Sequence, residues 1–188
     1  MDRFFSMDNK FFTFMGKVAD LFILNILCLI CCIPIVTAGA SITAMFYVTI
    51  KMVKNEESYI IKSFFKSFKQ NFKQATVINL IMLVLAVILY VDMSIVKQMG
   101  QPLGQIMNII FLAFSVLYVM VFLYIYPVLA KFYNSTRNTF INAVLMSVRH
   151  LPYTVLMAVI CACPVLLVSF APTFKVQATI ILICLVIG

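Results

Sequence analysis

Long apolar runs separated by short polar segments make up most of the chain. Most runs are close to the ~20 residues that a helix needs to cross the ~30 Å hydrocarbon core of a bilayer. Because the apolar residues are continuous and do not alternate with polar ones, a transmembrane β-barrel is excluded. The pattern predicts an all-α, polytopic helical membrane protein with a single domain over residues 1–188. Its spans, about six, are expected at residues 20–37, 40–54, 75–95, 106–129, 152–171 and 177–188.

Two of these runs are short. Residues 40–54 form a helix of about 22 Å at 1.5 Å per residue, so they either cross a thinned bilayer or return as a reentrant segment. Pro34 and Gly39 are expected to break the helix before this run. The last run, residues 177–188, is too short to cross, which indicates a clipped C-terminus or a run that stops midway.

Two segments have the periodicity of amphipathic helices, residues 58–74 and 138–151. In the first, phenylalanines follow the i, i+3, i+4 spacing of one helix face, and lysines form a second stripe beside them. Aromatic rings at the acyl boundary, flanked by lysines near anionic lipid head groups, are typical of an interfacial helix. The expected membrane-interface residues are Phe64, Phe65, Phe68, Phe72, Lys62, Lys66, Lys69 and Lys73.

The segment 58–74 has a second interpretation, as a docking helix for a cytoplasmic partner. Its outward face would then carry Ser63, Ser67, Gln70 and Gln74. Nucleic acid is not expected as a partner, because binding through the lysines would leave the phenylalanine stripe in water.

Composition and charge support a membrane protein and suggest its orientation. The chain is 64% hydrophobic and 11% charged, with a mean hydropathy of +1.11, whereas soluble domains are about half apolar and a quarter charged. With six spans, residues 1–17, 51–73 and 131–149 share one side and hold twelve of the fourteen lysines and arginines. The positive-inside rule places that side, and both termini, in the cytoplasm.

Few side chains suggest chemistry. Asp20, Asn25 and Asn79 are the candidate polar groups of the spans, since such groups in a membrane often mark a functional site. The simpler interpretations are a solvated carboxylate for Asp20 and hydrogen bonds between helices for the two amides. The C-x-x-C-C sequence at residues 28–32 lacks the further ligands of a zinc site, so no metal or other cofactor is expected. No nucleophile, base and orienting residue form a recognisable set, so an enzyme is not expected.

A motif follows the first apolar run, which ends in Pro-x-Val-Thr-x-Gly and continues with an alanine, a tyrosine and a lysine. Its residues are Pro34, Val36, Thr37, Gly39, Ala44, Tyr47 and Lys51. With the segment rich in phenylalanine and lysine that follows, this pattern resembles the YesL-like integral membrane proteins, a bacterial family defined by a domain of unknown function. The resemblance implies a plasma-membrane protein, often encoded near carbohydrate-uptake ABC transporters, and implies no activity.

Three functions remain open. The first is an accessory or assembly component of a carbohydrate ABC transporter, in contact with its permease or ATPase subunit. The second is an autonomous transporter or channel for a small solute, because broken helices often mark substrate sites in transporters. The third is a membrane sensor or scaffold.

Overall fold

Six α-helices form the part of the chain that the computed structural model describes, which is residues 10–56, 59–100 and 102–170. Side chains are described from Met15 onward, except for a few positions near the end of the last helix. No strand occurs within these residues. In chain order the helices are α1 (Lys10–Cys32), α2 (Ile35–Val53), α3 (Ile60–Val96), α4 (Leu103–Lys131), α5 (Thr136–Arg149) and α6 (Leu151–Phe170).

The predicted class, a polytopic helical membrane protein, is confirmed. Helices α1 to α4 are each long and apolar enough to cross a membrane. Helices α5 and α6 meet at a bend of 98° and make a fifth span if the bent pair counts as one. By length and composition, the described residues therefore contain four to five candidate spans. The predicted span at residues 177–188 lies outside them.

The first two helices form a tight hairpin around Pro34. Its backbone is extended, with φ −76° and ψ 122°, and α2 begins at the next residue. The hydroxyl of Thr37 donates to the Cys31 carbonyl at 2.6 Å and to the Pro34 carbonyl at 2.8 Å. The first bond occupies a carbonyl in the last turn of α1, where carbonyl groups lack a helical partner, and the Pro34 carbonyl also accepts from the Thr37 backbone N–H at 3.0 Å. Pro34 therefore separates the two helices, as predicted.

The predicted break at Gly39 is wrong, because Gly39 lies inside α2. Helix α2 has 19 residues and is about 28 Å long, which is close to the thickness of the hydrocarbon core. The predicted short or reentrant segment 40–54 is thus the larger part of a full-length helix. A glycine within a helix weakens it by only about 1 kcal/mol, which packing against a neighbouring helix can offset.

Gly39 marks a close approach of α2 to α3. A Cβ at this position would lie 2.8 Å from the Ala75 carbonyl oxygen and 2.8 Å from the Asn79 Cβ. Ala40 and Ala75 are fully buried at the same crossing. Small residues are enriched at helix contacts in membranes because they let two backbones approach.

Helix α3 covers most of the predicted amphipathic segment 58–74 and all of the predicted span 75–95. The structure has one helix of 37 residues, about 55 Å long at 1.5 Å per residue. It contains no proline or glycine between Ile60 and Val96, so nothing in its sequence interrupts the helical hydrogen bonds. The lysine-rich half and the apolar half are therefore parts of one continuous helix.

The two halves of α3 have different neighbours. Helix α2 runs antiparallel to the first half, from the Ile35 carbonyl beside Asn79 to Val48 and Met52, which pack in one cluster with Phe64. Helix α4 runs antiparallel to the second half, where the Tyr118 hydroxyl donates to the Met82 carbonyl at 3.1 Å. Helices α2 and α4 therefore pack mainly against different halves of α3, α2 against the first and α4 against the second.

The predicted segment 138–151 falls on α5. The Ser135 side chain caps this helix by accepting a hydrogen bond from the Asn138 backbone N–H at 3.5 Å. Gln74 of α3 donates to the Asn134 carbonyl at 2.8 Å, which holds the preceding loop against α3. Ala143 of α5 is fully buried in the cluster that contains Ala75.

Replacing Gly39 with alanine should destabilise the protein by about 1–3 kcal/mol, because the new methyl group meets a backbone oxygen at 2.8 Å and forces the helices apart. Gly16→Ala is the matched control, since a Cβ there has no heavy atom within 4 Å and alanine is the better helix former. Reversible unfolding in mixed detergent and SDS, followed by circular dichroism, measures both. Equal stability of the two variants would contradict the close crossing.

Candidate functional site

A pocket of about 720 Å³ opens where α1, α2 and the start of α3 meet. Each helix contributes polar and apolar groups to its wall. Its lining residues are Asp20 and Ile23 of α1, Val48, Lys51 and Met52 of α2, Glu56 after α2, and Tyr59, Ile60, Ile61 and Ser63 around the start of α3. The volume lies within the range of about 300–1,000 Å³ that is usual for small-molecule sites.

The C-terminus of α2 shapes one rim of the pocket through a Schellman motif. Asn55 has a left-handed backbone with φ 54°. Its N–H donates to the Met52 carbonyl at 3.1 Å, and the Glu56 N–H donates to the Lys51 carbonyl at 3.1 Å. Asparagine tolerates this conformation better than most residues. The turn places Glu56 beside Lys51 at the pocket.

A contact with α1 fixes this rim from the other side. The Lys17 ammonium donates to the Asn55 side-chain oxygen at 2.8 Å. Asp20 lies three residues further along α1, nearly one helical turn, and is half-buried in the pocket wall. The Lys17–Asn55 bond thus positions the Asp20 carboxylate across the pocket from the end of α2.

The pocket offers groups of both charge signs. Asp20 and Glu56 carry carboxylates, which accept hydrogen bonds, and Lys51 carries an ammonium that donates up to three. The Lys51 Nζ lies 5.0 Å from the centre of the Tyr47 ring, an arrangement that stabilises the cation by about 0.5–1 kcal/mol at an exposed site. This wall is suited to bind and orient a small polar molecule with an apolar part.

Asn79 belongs to a second polar cluster, at the opposite end of α2. Its Nδ2 donates to the Ile35 carbonyl at 2.8 Å, and its Oδ1 accepts a hydrogen bond from the Tyr126 hydroxyl at 2.9 Å. Thr76, one turn earlier on α3, donates to the Val36 carbonyl at 3.3 Å. The amide thus joins α2, α3 and α4 through the hydrogen bonds that a membrane interior favours.

The three candidate polar residues do not form one site. Asp20 lines the pocket together with Met52 near the end of α2, whereas Asn79 contacts Ile35 at its start. Met52 and Ile35 are about 25 Å apart along α2. Asn25 lies on α1 and is only 9% exposed. Asp20 and Asn79 therefore belong to separate clusters at the two ends of α2.

The phenylalanine stripe does not face outward as a whole, which corrects the expected interfacial face. Phe64 is 0% exposed and packs against α1 and α2, and Phe68 is partly buried. Phe65 and Phe72 remain exposed. A hydrophobic stripe can face either lipid or a protein core, and here helices α1 and α2 pack against part of it.

The serines expected outward on a docking helix are also turned inward. Ser63 and Ser67 are buried, and so is Asn71, whose amide donates to the carbonyl and to the hydroxyl of Ser67 at 3.2 Å each. Short side chains at these positions let α2 pack closely against α3. The four lysines are exposed on the other side of the helix, at positions Lys62, Lys66, Lys69 and Lys73.

The residues of the sequence motif are distributed along α2 with distinct structural roles. Thr37 bonds the hairpin at Pro34, and Gly39 permits the close crossing. Ala44 is fully buried in the cluster with Phe64. Tyr47 and Lys51 stack at the pocket end. The motif residues therefore hold α2 in place along its whole length, from the turn at Pro34 to the pocket.

Two groups at these sites were missed in the sequence. Glu56 reaches the pocket through the turn at Asn55, and an asparagine directly after the last turn of a helix is a recognisable signal for that turn. Tyr126 has no such signal, because its role depends on meeting Asn79 from a helix 47 residues away in the chain.

Comparison with known families adds one finding. Residues 21–93 match a family model described as a protein of unknown function, DUF624. This match confirms the predicted resemblance, since YesL-like proteins belong to that family. No curated protein and no solved structure matches the chain. The matched residues include all of α2, with Lys51, and extend through Glu56 and Asn79 to Met93, so both polar clusters lie largely inside them.

Phe64→Ala should reduce the free energy of unfolding by about 3–5 kcal/mol, because it empties a fully buried ring from the contact between α2 and α3. Phe65→Ala is the matched control, with a ring that is 46% exposed on the same helix, and should cost about 0.5 kcal/mol or less. Unfolding in detergent and SDS distinguishes the two. Equally small effects at both positions would contradict the burial of Phe64 and favour the predicted interfacial face.

Proposed function

We propose that this protein is an accessory or assembly component of a carbohydrate-uptake ABC transporter in the bacterial plasma membrane. The proposal starts from the family resemblance, which implies that association. One structural observation supports it further, a row of four exposed lysines on a helix whose opposite face is fixed in the core. Lys62 and Lys73 mark the ends of this lysine row, about 16 Å apart along α3.

The lysine row is suited to contact a partner because its backbone is held rigidly. Ser67 and Asn71, between the lysines, are buried against neighbouring helices, so the row needs little ordering when it binds. A rigid line of cations matches an acidic protein surface and also attracts anionic lipid head groups.

Loop charges support a cytoplasmic location for the connection between α2 and α3, where the lysine row begins. The hairpin between α1 and α2 contains no lysine or arginine, whereas the connection from α2 to α3 is flanked by Lys51, Lys54 and Lys62. The loop between α4 and α5 is flanked by Lys131 and Arg137. By the positive-inside rule, these two connections, and the N-terminus with them, lie in the cytoplasm.

Purification of the tagged protein from its native membrane in mild detergent tests the proposal. We expect an ABC permease or ATPase subunit to co-purify in stoichiometric amount, identified by mass spectrometry. Lys66→Glu/Lys69→Glu should reduce its recovery at least about tenfold, since two cations in contact become two repelling anions. The matched control, Lys97→Glu/Lys131→Glu, reverses two exposed lysines outside the row and should leave recovery unchanged.

Purification of the protein alone would contradict this function, and so would normal sugar-dependent growth after deletion of its gene. Equal loss of the partner in both double variants would place the contact elsewhere than the lysine row.

A second function, autonomous transport of a small solute, is favoured by the pocket itself. Its volume of about 720 Å³ and its two carboxylates, Asp20 and Glu56, in an otherwise largely apolar lining match a site for a small solute. Liposomes that contain only this protein should then show solute flux. Asp20→Asn should reduce that flux about tenfold, because a charge-assisted hydrogen bond contributes about 1.5–3 kcal/mol.

Asp92→Asn is the control for the flux assay, because it removes a half-buried carboxylate from the other end of α3. Equal flux with empty liposomes, or equal loss in both variants, would rule out transport through this pocket.

A further inference from the structure

The pocket brings one cation and two anions together from separate parts of the chain. Asp20 belongs to α1, Lys51 to the last turn of α2, and Glu56 to the turn after α2, and all three line the same cavity. The Schellman turn and the Lys17–Asn55 bond hold these segments in place. The arrangement is therefore a built feature of the fold rather than a chance cluster on a mobile surface.

The two signs restrict the ligand. A simple anion would meet Lys51 but would be repelled by both carboxylates, and a simple cation would match the carboxylates but be repelled by Lys51. We propose that the pocket binds a zwitterionic group in which a primary ammonium lies beside an anion, as in phosphoethanolamine. The ammonium donates to Asp20 and Glu56, and the anion accepts from Lys51.

The remaining wall indicates that the ligand also has an apolar part. Ile23 and Ile61 are 42% and 53% exposed at the pocket, and Val48 and Met52 form its floor. The apolar wall continues along the same face of α1 at Ile26 and Ile30, three and seven residues after Ile23, and both are exposed. An aminophospholipid would place its head group between the charges and its acyl chains along α1.

The chemistry of a phosphoethanolamine group is the same in a lipid and in a free solute, and the experiment separates the two sources. Native mass spectrometry of the purified protein in detergent measures the binding of phosphatidylethanolamine, phosphatidylcholine and phosphatidylglycerol at equal concentration. Isothermal titration calorimetry measures soluble phosphoethanolamine. The site is independent of any association with a transporter, so the outcome does not depend on the co-purification experiment.

We expect phosphatidylethanolamine to bind about tenfold more tightly than the other two lipids. Phosphatidylcholine has no N–H donor for the carboxylates, and phosphatidylglycerol has no cation. Asp20→Asn and Glu56→Gln should each remove most of this preference. Lys51→Gln should instead weaken the binding of phosphatidylethanolamine and of phosphatidylcholine by the same factor. Comparable affinity for soluble phosphoethanolamine identifies a free solute as the ligand, and binding of the lipid alone identifies the bilayer.

Matched controls keep the result independent of folding. Asp92→Asn removes a carboxylate of similar exposure at the far end of α3, and Lys131→Gln removes another lysine that lies over an aromatic ring. Neither should alter the lipid preference, and Asp20→Glu should retain it. Equal binding of all three lipids without any binding of soluble phosphoethanolamine, or the same loss in Asp92→Asn as in Asp20→Asn, would overturn the proposal.

Discussion

The close approach of α2 to α3 at Gly39 is the constraint on which the rest of the molecule depends. Between helices in a bilayer there is little hydrophobic driving force, because lipid tails are as apolar as the side chains, so association relies on packing and hydrogen bonds. Gly39 supplies the packing, with Ala75 and Asn79 directly opposite. Asn79 supplies the hydrogen bonds, to Ile35 of α2 and Tyr126 of α4. One crossing thus joins three of the helices that are long and apolar enough to span a membrane.

This crossing, together with the unbroken length of α3, sets the position of everything else. Because α3 continues as one helix through its lysine-rich half, α2 packs against that half with Phe64 as the buried anchor. The inward side of the segment is then occupied, and the lysines are left on the outside. The proposed partner contact and the core packing are two faces of the same helix, and each requires the other.

The pocket follows from the same register at the opposite end of α2. With α2 fixed at Gly39, its C-terminal turn ends beside the start of α3, and the Lys17–Asn55 bond brings α1 to the same place. Three chain segments then surround a cavity that contains both signs of charge. The proposed ligand chemistry depends on this convergence, and no single segment of the chain contains it.

The apolar runs by themselves determined the class of protein and the existence of its long helices, because a chain in lipid must satisfy its backbone hydrogen bonds internally. The sequence also determined the break at Pro34, because proline has no N–H to continue the helical hydrogen bonds. Only the tertiary structure decided that Gly39 lies within a helix, since packing against α3, so close that a Cβ would lie 2.8 Å from the Ala75 carbonyl oxygen, offsets the cost of a glycine in a helix. It also decided that Phe64 faces protein while Phe65 does not, because lipid and core are both apolar and an amphipathic pattern does not distinguish them. The pocket likewise required the folded chain, since Asp20 and Glu56 meet only when α1 and α2 pair.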